Sequence, residues 1–243
     1  MKNMTTVYRR ELAAYFNSPI AYIFLIGFLL AVSTIFFVLR DFFAQTNPDV
    51  RAYFAWFPLL LAGFCSAVSM RLWAEEKRAG TIELLSTWPV RAWELVLAKY
   101  FAGLTIVVVA LILTVVGPWS VSSTTEVDWG VIFSSYFGAV VIASVYMALG
   151  AWVSTFTHNQ VVALLVSCMI CVALWGVGMP PFVRWVSKFG GVDFGNFVGW
   201  FGTEYHFQEF SKGLINPVGL IYGIGMTAVF LVLNNLFVEG RKF

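Results

Sequence analysis

The sequence predicts an all-α polytopic membrane protein with six transmembrane helices, and three observations carry that prediction. Hydrophobic residues make up 60% of the chain and charged ones only 12%, with a mean hydropathy of +0.81, a balance that soluble domains do not reach. Charges are absent over whole helix lengths: none occurs in 100–125, 129–183 or 213–238. At about 20 residues per span, 243 residues hold six spans and their connections. No room remains for a soluble domain of about 100 residues, so 1–243 is read as a single transmembrane domain. A net charge of +2, with basic residues scattered at helix ends, gives no sign of nucleic acid as a partner.

The chain opens with an amphipathic helix over 5–16. Met4, Tyr8, Leu12 and Tyr15/Phe16 recur at helical spacing with Arg9, Arg10 and Glu11 between them, so this helix is expected to lie on the membrane. Asn17-Ser18-Pro19 supplies a cap and a proline at the first position of the next helix. The apolar run that follows is too long for a signal peptide and lacks a small-residue cleavage site. Span one is placed at 19–39 and span two at 53–73, with Pro58 in its first turn or at a kink. Span three is 95–116, closed by Gly117-Pro118; an acidic loop with Glu126 and Asp128 follows. Span four is 131–155, span five 161–177 and span six 217–238.

Between spans two and three, 71–99 carries nine charged residues of twenty-nine, five basic and four acidic. Gly80-Thr81 reads as a break and a new helix start, the Thr81 hydroxyl being placed to cap. Glu83 falls in the first turn, where the helix dipole favours a carboxylate, and Pro89 ends the helix about two turns later. The segment 74–92 is thus expected to hold a short amphipathic helix between two spans. Ile82, Leu85 and Trp88 would offer apolar contact, while Glu75, Glu76, Glu83 and Arg78 would set register by charge. Glu75 and Glu76 are expected to pair with Arg9 and Arg10. A double charge reversal is expected to rescue what either single reversal damages.

Glu75, Glu76, Gly80, Thr81, Ile82, Glu83, Leu84, Leu85, Pro89, Trp93, Glu94 and Lys99 together resemble the coupling-helix region of ABC-2 type transporter permeases. The run from His206 to Gly213, with Gly219 to Tyr222, is similar to the gliding-motility-associated (GldF-like) subgroup. The resemblance implies an exporter-type permease subunit in which 1–18 is a connecting helix and 74–92 a cytoplasmic coupling segment. It implies separate cytoplasmic ABC ATPase subunits that hold the ATP and Mg, and a second permease half, identical or different. It also brings an auxiliary membrane protein with an extracytoplasmic domain. Membrane lipids are the surroundings, and an amphipathic or lipid-linked cargo, or a partner protein, is what such a machine would move.

The residues themselves place the ends. With the N-terminus inside, ten Lys and Arg lie on the cytoplasmic side and five outside, which puts both termini and the charged segment in the cytoplasm of an inner-membrane protein. The aromatic segment 180–216 is then outside, as short helices in or dipping into the interface. No Gly-x-x-x-x-Gly-Lys-[Ser/Thr] occurs, so the chain is expected to be no enzyme and to carry no cofactor. Cys65, Cys168 and Cys171 lie in apolar runs and read as packing residues. His158 and His206 fall in connections, and Glu204 with His206 reads as packing before the last span rather than as a metal site. Gly219 and Gly223 have GxxxG spacing, a weak sign of a dimer contact. The alternatives are an ion-coupled carrier or channel, against which the empty bundle argues, and a scaffold or membrane enzyme independent of ATP.

Overall fold

The computed structural model describes residues 2–35, 51–80, 91–122 and 127–240. Every regular element among them is helical: α1 Lys2–Phe16, α2 Pro19–Thr34, α3 Arg51–Phe54, α4 Phe57–Ser69, α5 Arg71–Arg78, α6 Ala92–Thr114, α7 Val116–Ser122, α8 Trp129–Ser154, α9 Gln160–Val177, α10 Pro180–Trp200, α11 Thr203–Phe210 and α12 Pro217–Glu239. Among the described residues, five helices are long and apolar enough to cross a membrane, and a sixth is reached if the bent pair α1–α2 counts as one span.

The N-terminal helix is amphipathic as its spacing predicts. Val7 and Tyr15 are buried, Met4, Tyr8 and Leu12 pack on the core, and Arg9 and Arg10 are exposed. It makes a 71° bend with α2. Ser18 takes the extended N-cap geometry, but its hydroxyl makes no capping bond. Pro19 starts the helix through its preset φ alone.

Two span boundaries differ from the sequence expectation. Span two begins at Phe57 and passes through Met70, itself in helical geometry, into α5. The result is one rod over Phe57–Arg78, so Glu75, Glu76 and Arg78 stand on a helical extension of the span. Pro58 sits in its first turn, where no intrahelical donor is lost. Span three does not stop at Gly117-Pro118; α7 extends the helix to Ser122, because Pro118 again occupies a first turn. Span four opens on a side-chain cap: Asp128 Oδ1 accepts from the N–H groups of Gly130 at 2.8 Å and Val131 at 3.4 Å. Asn159 and Asn216 cap α9 and α12 in the same way.

The centre of the bundle is α8, against which α4, α6, α9, α11 and α12 all pack. Small residues permit the approach: a Cβ on Gly150 would strike Ser69, and one on Gly138 would strike the Phe210 ring. Gly219 and Gly223, the GxxxG pair, serve contacts within the chain, facing Phe210 and Val141 respectively. They are therefore occupied by intrachain packing, not open for a dimer contact.

The aromatic segment folds back on itself. Gly191 (φ 85°, ψ 167°) breaks α10 into two arms in a conformation open to glycine, and Gly195 and Gly199 of the second arm pack on Ser187 and Val183 of the first. Thr203, at the start of α11, meets Tyr146 of α8 through a 2.6 Å hydroxyl contact. Ser134 Oγ then donates to the Phe210 carbonyl at 2.7 Å, and Gly213 reaches Val131. From Thr203 to Gly213 the chain climbs along α8 toward its first turn. The connection thus dips into the bundle before α12 begins.

Candidate functional site

At the end of the bundle where α1, α5 and the start of α6 meet, four charged side chains close a ring of alternating sign. Arg10 Nη2 lies 2.7 Å from Glu11 Oε1 and 3.1 Å from Glu76 Oε1. Lys99 Nζ lies 3.2 Å from the same Glu11 oxygen and 2.9 Å from the same Glu76 oxygen. The sequence arranges this locally. Arg10 and Glu11 sit beside the buried stripe of α1, Glu76 lies one turn past the buried Trp73, and Lys99 is two turns into α6.

The ring is graded from wet to dry. The Arg10 side chain is 47% exposed and the Lys99 side chain 2%, so the strongest demand for partners falls on Lys99. Its ammonium also lies 5.2 Å from the centre of the Trp73 ring. Burial pushes the Glu11 carboxyl up, but the Lys99 charge and Arg10 outweigh it and hold it below its ordinary value. Burial likewise lowers Arg10, and the two carboxylates reverse that, raising it. Glu11 and Arg10 therefore both stay charged at neutral pH.

A second set of contacts ties α5 to its neighbours. Arg71 Nε pairs with Glu75 Oε2 at 2.9 Å, one turn along the same helix, and the Arg71 guanidinium carbon lies 5.0 Å from the centre of the Tyr15 ring. Tyr15 Oη donates to the Val68 carbonyl at 2.8 Å. Ser154 Oγ, at the end of α8, accepts from the N–H groups of Trp73 and Ala74 and donates to the Met70 carbonyl, each at 3.1 Å. Lys77 is buried and donates to the Thr155 carbonyl, a cation at a helix C-terminus where the dipole favours it.

Of the expected charge pairs, Glu76 with Arg10 is present. Glu75 instead bonds Arg71, because a carboxylate four residues along a helix is the nearer partner; Arg9 and Arg78 are exposed. Gly80 follows the end of α5 at φ +68°, the left-handed position that glycine occupies after a helix. Thr81, Ile82, Glu83, Leu85 and Pro89, expected to form the short helix, lie outside the described residues. Sequence reasoning had Lys99 only as part of the family pattern, with no ion-pair partner, and passed over Lys77 and Ser154. The signal for Lys99 was legible: a lone lysine among apolar helix residues is rarely buried without a partner.

The aromatic end of the bundle holds a different cluster. His206 belongs to α11 and is buried, not a solvated loop residue; its ring stacks on Tyr222 at 4.1 Å and its Nε2 lies 2.9 Å from the Trp200 carbonyl. Glu204 accepts from Trp175 Nε1 at 2.9 Å and Gln208 Nε2 at 3.1 Å. Among the described residues no three His, Cys, Asp or Glu side chains group as a metal site would need. Cys65 and Cys171 are buried between α4 and α9, where Ser66 Oγ approaches Cys171 Sγ at 3.9 Å.

The charged ring and its fastenings join separate elements of the fold. Three elements converge on the ring, and two of them, α5 and α6, flank the stretch 81–90. No curated protein matches the chain. The family model for ABC-2 family transporter proteins matches residues 31–236, which takes in Glu76 and Lys99 and leaves α1 outside. The chain, a multi-pass membrane protein of the permease kind, belongs to the ABC-2 family of transporter proteins.

Proposed function

We propose that this chain is the non-catalytic membrane subunit of an ATP-driven exporter, and that the charged end faces the cytoplasm and receives the motion of a separate ABC ATPase. The observation that carries the reading is the closed ring of Arg10, Glu11, Glu76 and Lys99. It clamps α1 to both helices that flank 81–90. A short helix within 81–90 would touch the ATPase through Ile82, Leu85 and Glu83. Force applied there enters α5, which is continuous with span two, and α6, which is span three. Ser154 and Lys77 pass it to α8. The ring makes α1, α5 and α6 move together, so ATP-driven closure would tilt a unit rather than bend a loop.

Ten Lys and Arg against five support cytoplasmic termini and insertion in the inner membrane. ATP and Mg would sit on the ATPase, and a second permease half would complete the pore. The similarity to gliding-motility-associated permeases favours an auxiliary subunit with an extracytoplasmic domain. Long uncharged runs in the spanning helices and an aromatic outer hairpin suit an amphipathic or lipid-linked cargo, or a driven partner protein, better than a small ion.

The test is co-purification with the ATPase encoded beside this chain after gentle solubilisation. Wild type is expected to leave the column with it. Glu83→Arg should release the ATPase, and Gly80→Pro should retain it while lowering ATP turnover in the complex. An ATPase that never binds, or binds both variants with normal turnover, would reject the coupling role.

A further inference from the structure

Away from the charged ring, between α6 and α8, an apolar groove of about 300 Å³ opens on the lipid-facing side. Leu111, Ile112 and Val115 form one wall and Ile132, Phe133 and Tyr136 the other, with Trp129 at one end. Ile112 and Phe133 are 62% and 68% exposed, so its edge is open to the membrane. Along α8 the groove runs from Trp129 to Val140, about 16 Å at 1.5 Å per residue. That is about half of the ~30 Å hydrocarbon core, the depth of one leaflet.

The mouth has a chemistry of its own. Trp129 meets Trp119 of α7 edge to face, with centroids 6.3 Å apart, and both rings are exposed. Beside them stands the carboxylate of Asp128, exposed and turned by its cap toward the first turn of α8. The sequence has no Lys or Arg between Lys99 and Arg184. Lys212 comes to α8 from its other face, where Gly213 meets Val131. Indole faces with a carboxylate attract a cation, and an anionic headgroup would be repelled by the Asp128 carboxylate.

We infer that this groove is a specific site for one phospholipid with an amine headgroup, its acyl chain along Ile112 and Phe133 and its ammonium between Trp119, Trp129 and Asp128. The site is independent of the transported cargo and of the ATPase. Occupied, it seals α6 to α8 in the leaflet opposite the charged ring, beside the two spans that the ring drives. A lipid there becomes part of the moving unit rather than of the fluid around it.

Protein in mixed micelles with equal phosphatidylethanolamine and phosphatidylglycerol, read by native mass spectrometry, tests the site. Wild type should retain one phosphatidylethanolamine per chain over phosphatidylglycerol by about fivefold, the scale of one exposed cation–π contact. Asp128→Asn keeps a capping oxygen but no charge, and should bring the ratio close to one. Trp119→Leu should lower the ratio, and Phe133→Trp, which fills the groove, should lower retention of both lipids. Equal retention by wild type, or an unchanged ratio in Asp128→Asn, overturns the proposal. So does a copy-to-copy disulfide through Phe133→Cys in native membranes, which would assign the groove to a second chain.

Discussion

Lys99 shows what a single residue contributes when its surroundings leave it no water. Its ammonium is neutralised by Glu11 and Glu76 at about 3 Å, and breaking a buried pair of this kind from one side costs about 3–5 kcal/mol. Lys99→Met is therefore expected to lower the thermal midpoint in detergent much more than Arg10→Gln at the exposed side of the ring. Adding Glu11→Gln and Glu76→Gln to Lys99→Met should recover part of the loss, since no bare carboxylate remains. A midpoint no lower for Lys99→Met than for Arg10→Gln would show that the dry half carries no weight. The ring also changes the expected outcome of charge reversal. Arg10→Glu with Glu76→Arg restores their mutual contact, but the new acid then faces Glu11 and the new base faces Lys99. Pairwise rescue is consequently expected to fail. Glu11 adds a pH dependence. Its folded pKa is lowered from 4.5, so its stabilisation is fully present above that value and is lost as pH falls through the lower folded value. Wild type and Glu11→Gln should thus differ most at neutral pH and converge in acid; a constant gap down to pH 3 would count against the pairing.

At the scale of elements, packing depends on where the glycines lie on each helix. Gly150 of α8 sits against Ser69 of α4, whereas Gly225 of α12 has open space around it. Gly150→Val should cost about 1–3 kcal/mol through overpacking, seen as a lower midpoint and a broader size-exclusion peak. Gly225→Val should be neutral or slightly stabilising, and equal behaviour of the two would undo the packing argument. Most elements were legible before any coordinates, because an uncharged apolar run of twenty residues has few fates besides a spanning helix. Boundaries were harder. Pro58 was open between a first turn and a kink and Pro118 was expected to close span three, yet both lie in first turns, where a proline is harmless. Likewise, span two was expected to stop at 73, before the charges from Glu75 to Arg78. Helix α5 instead carries Glu75, Glu76 and Lys77 with partners along α5 itself, on α1 and α6, and at the Thr155 carbonyl, and leaves Arg78 exposed.

For the whole molecule, composition and the uncharged runs determined the class: an all-α, multi-pass membrane protein whose one charge-dense stretch lies between spans two and three. Residue identities in that stretch also pointed to the family later matched over 31–236. Those properties are local, since a run of side chains states its preference for lipid or water without reference to the rest of the chain. Tertiary structure decided which charges meet. Arg10 and Glu76 are 66 residues apart, and nothing in their neighbours distinguishes Glu76 from Glu75 except the helical phase that turns one toward α6 and the other outward. The same holds for α11, whose descent beside Tyr146 makes His206 a buried stacking residue, and for the Trp119–Trp129 mouth, which exists only where α7 and α8 converge. Pairing between distant residues is set by helix phase and close approach at α8, and a linear pattern of charge and hydropathy contains neither.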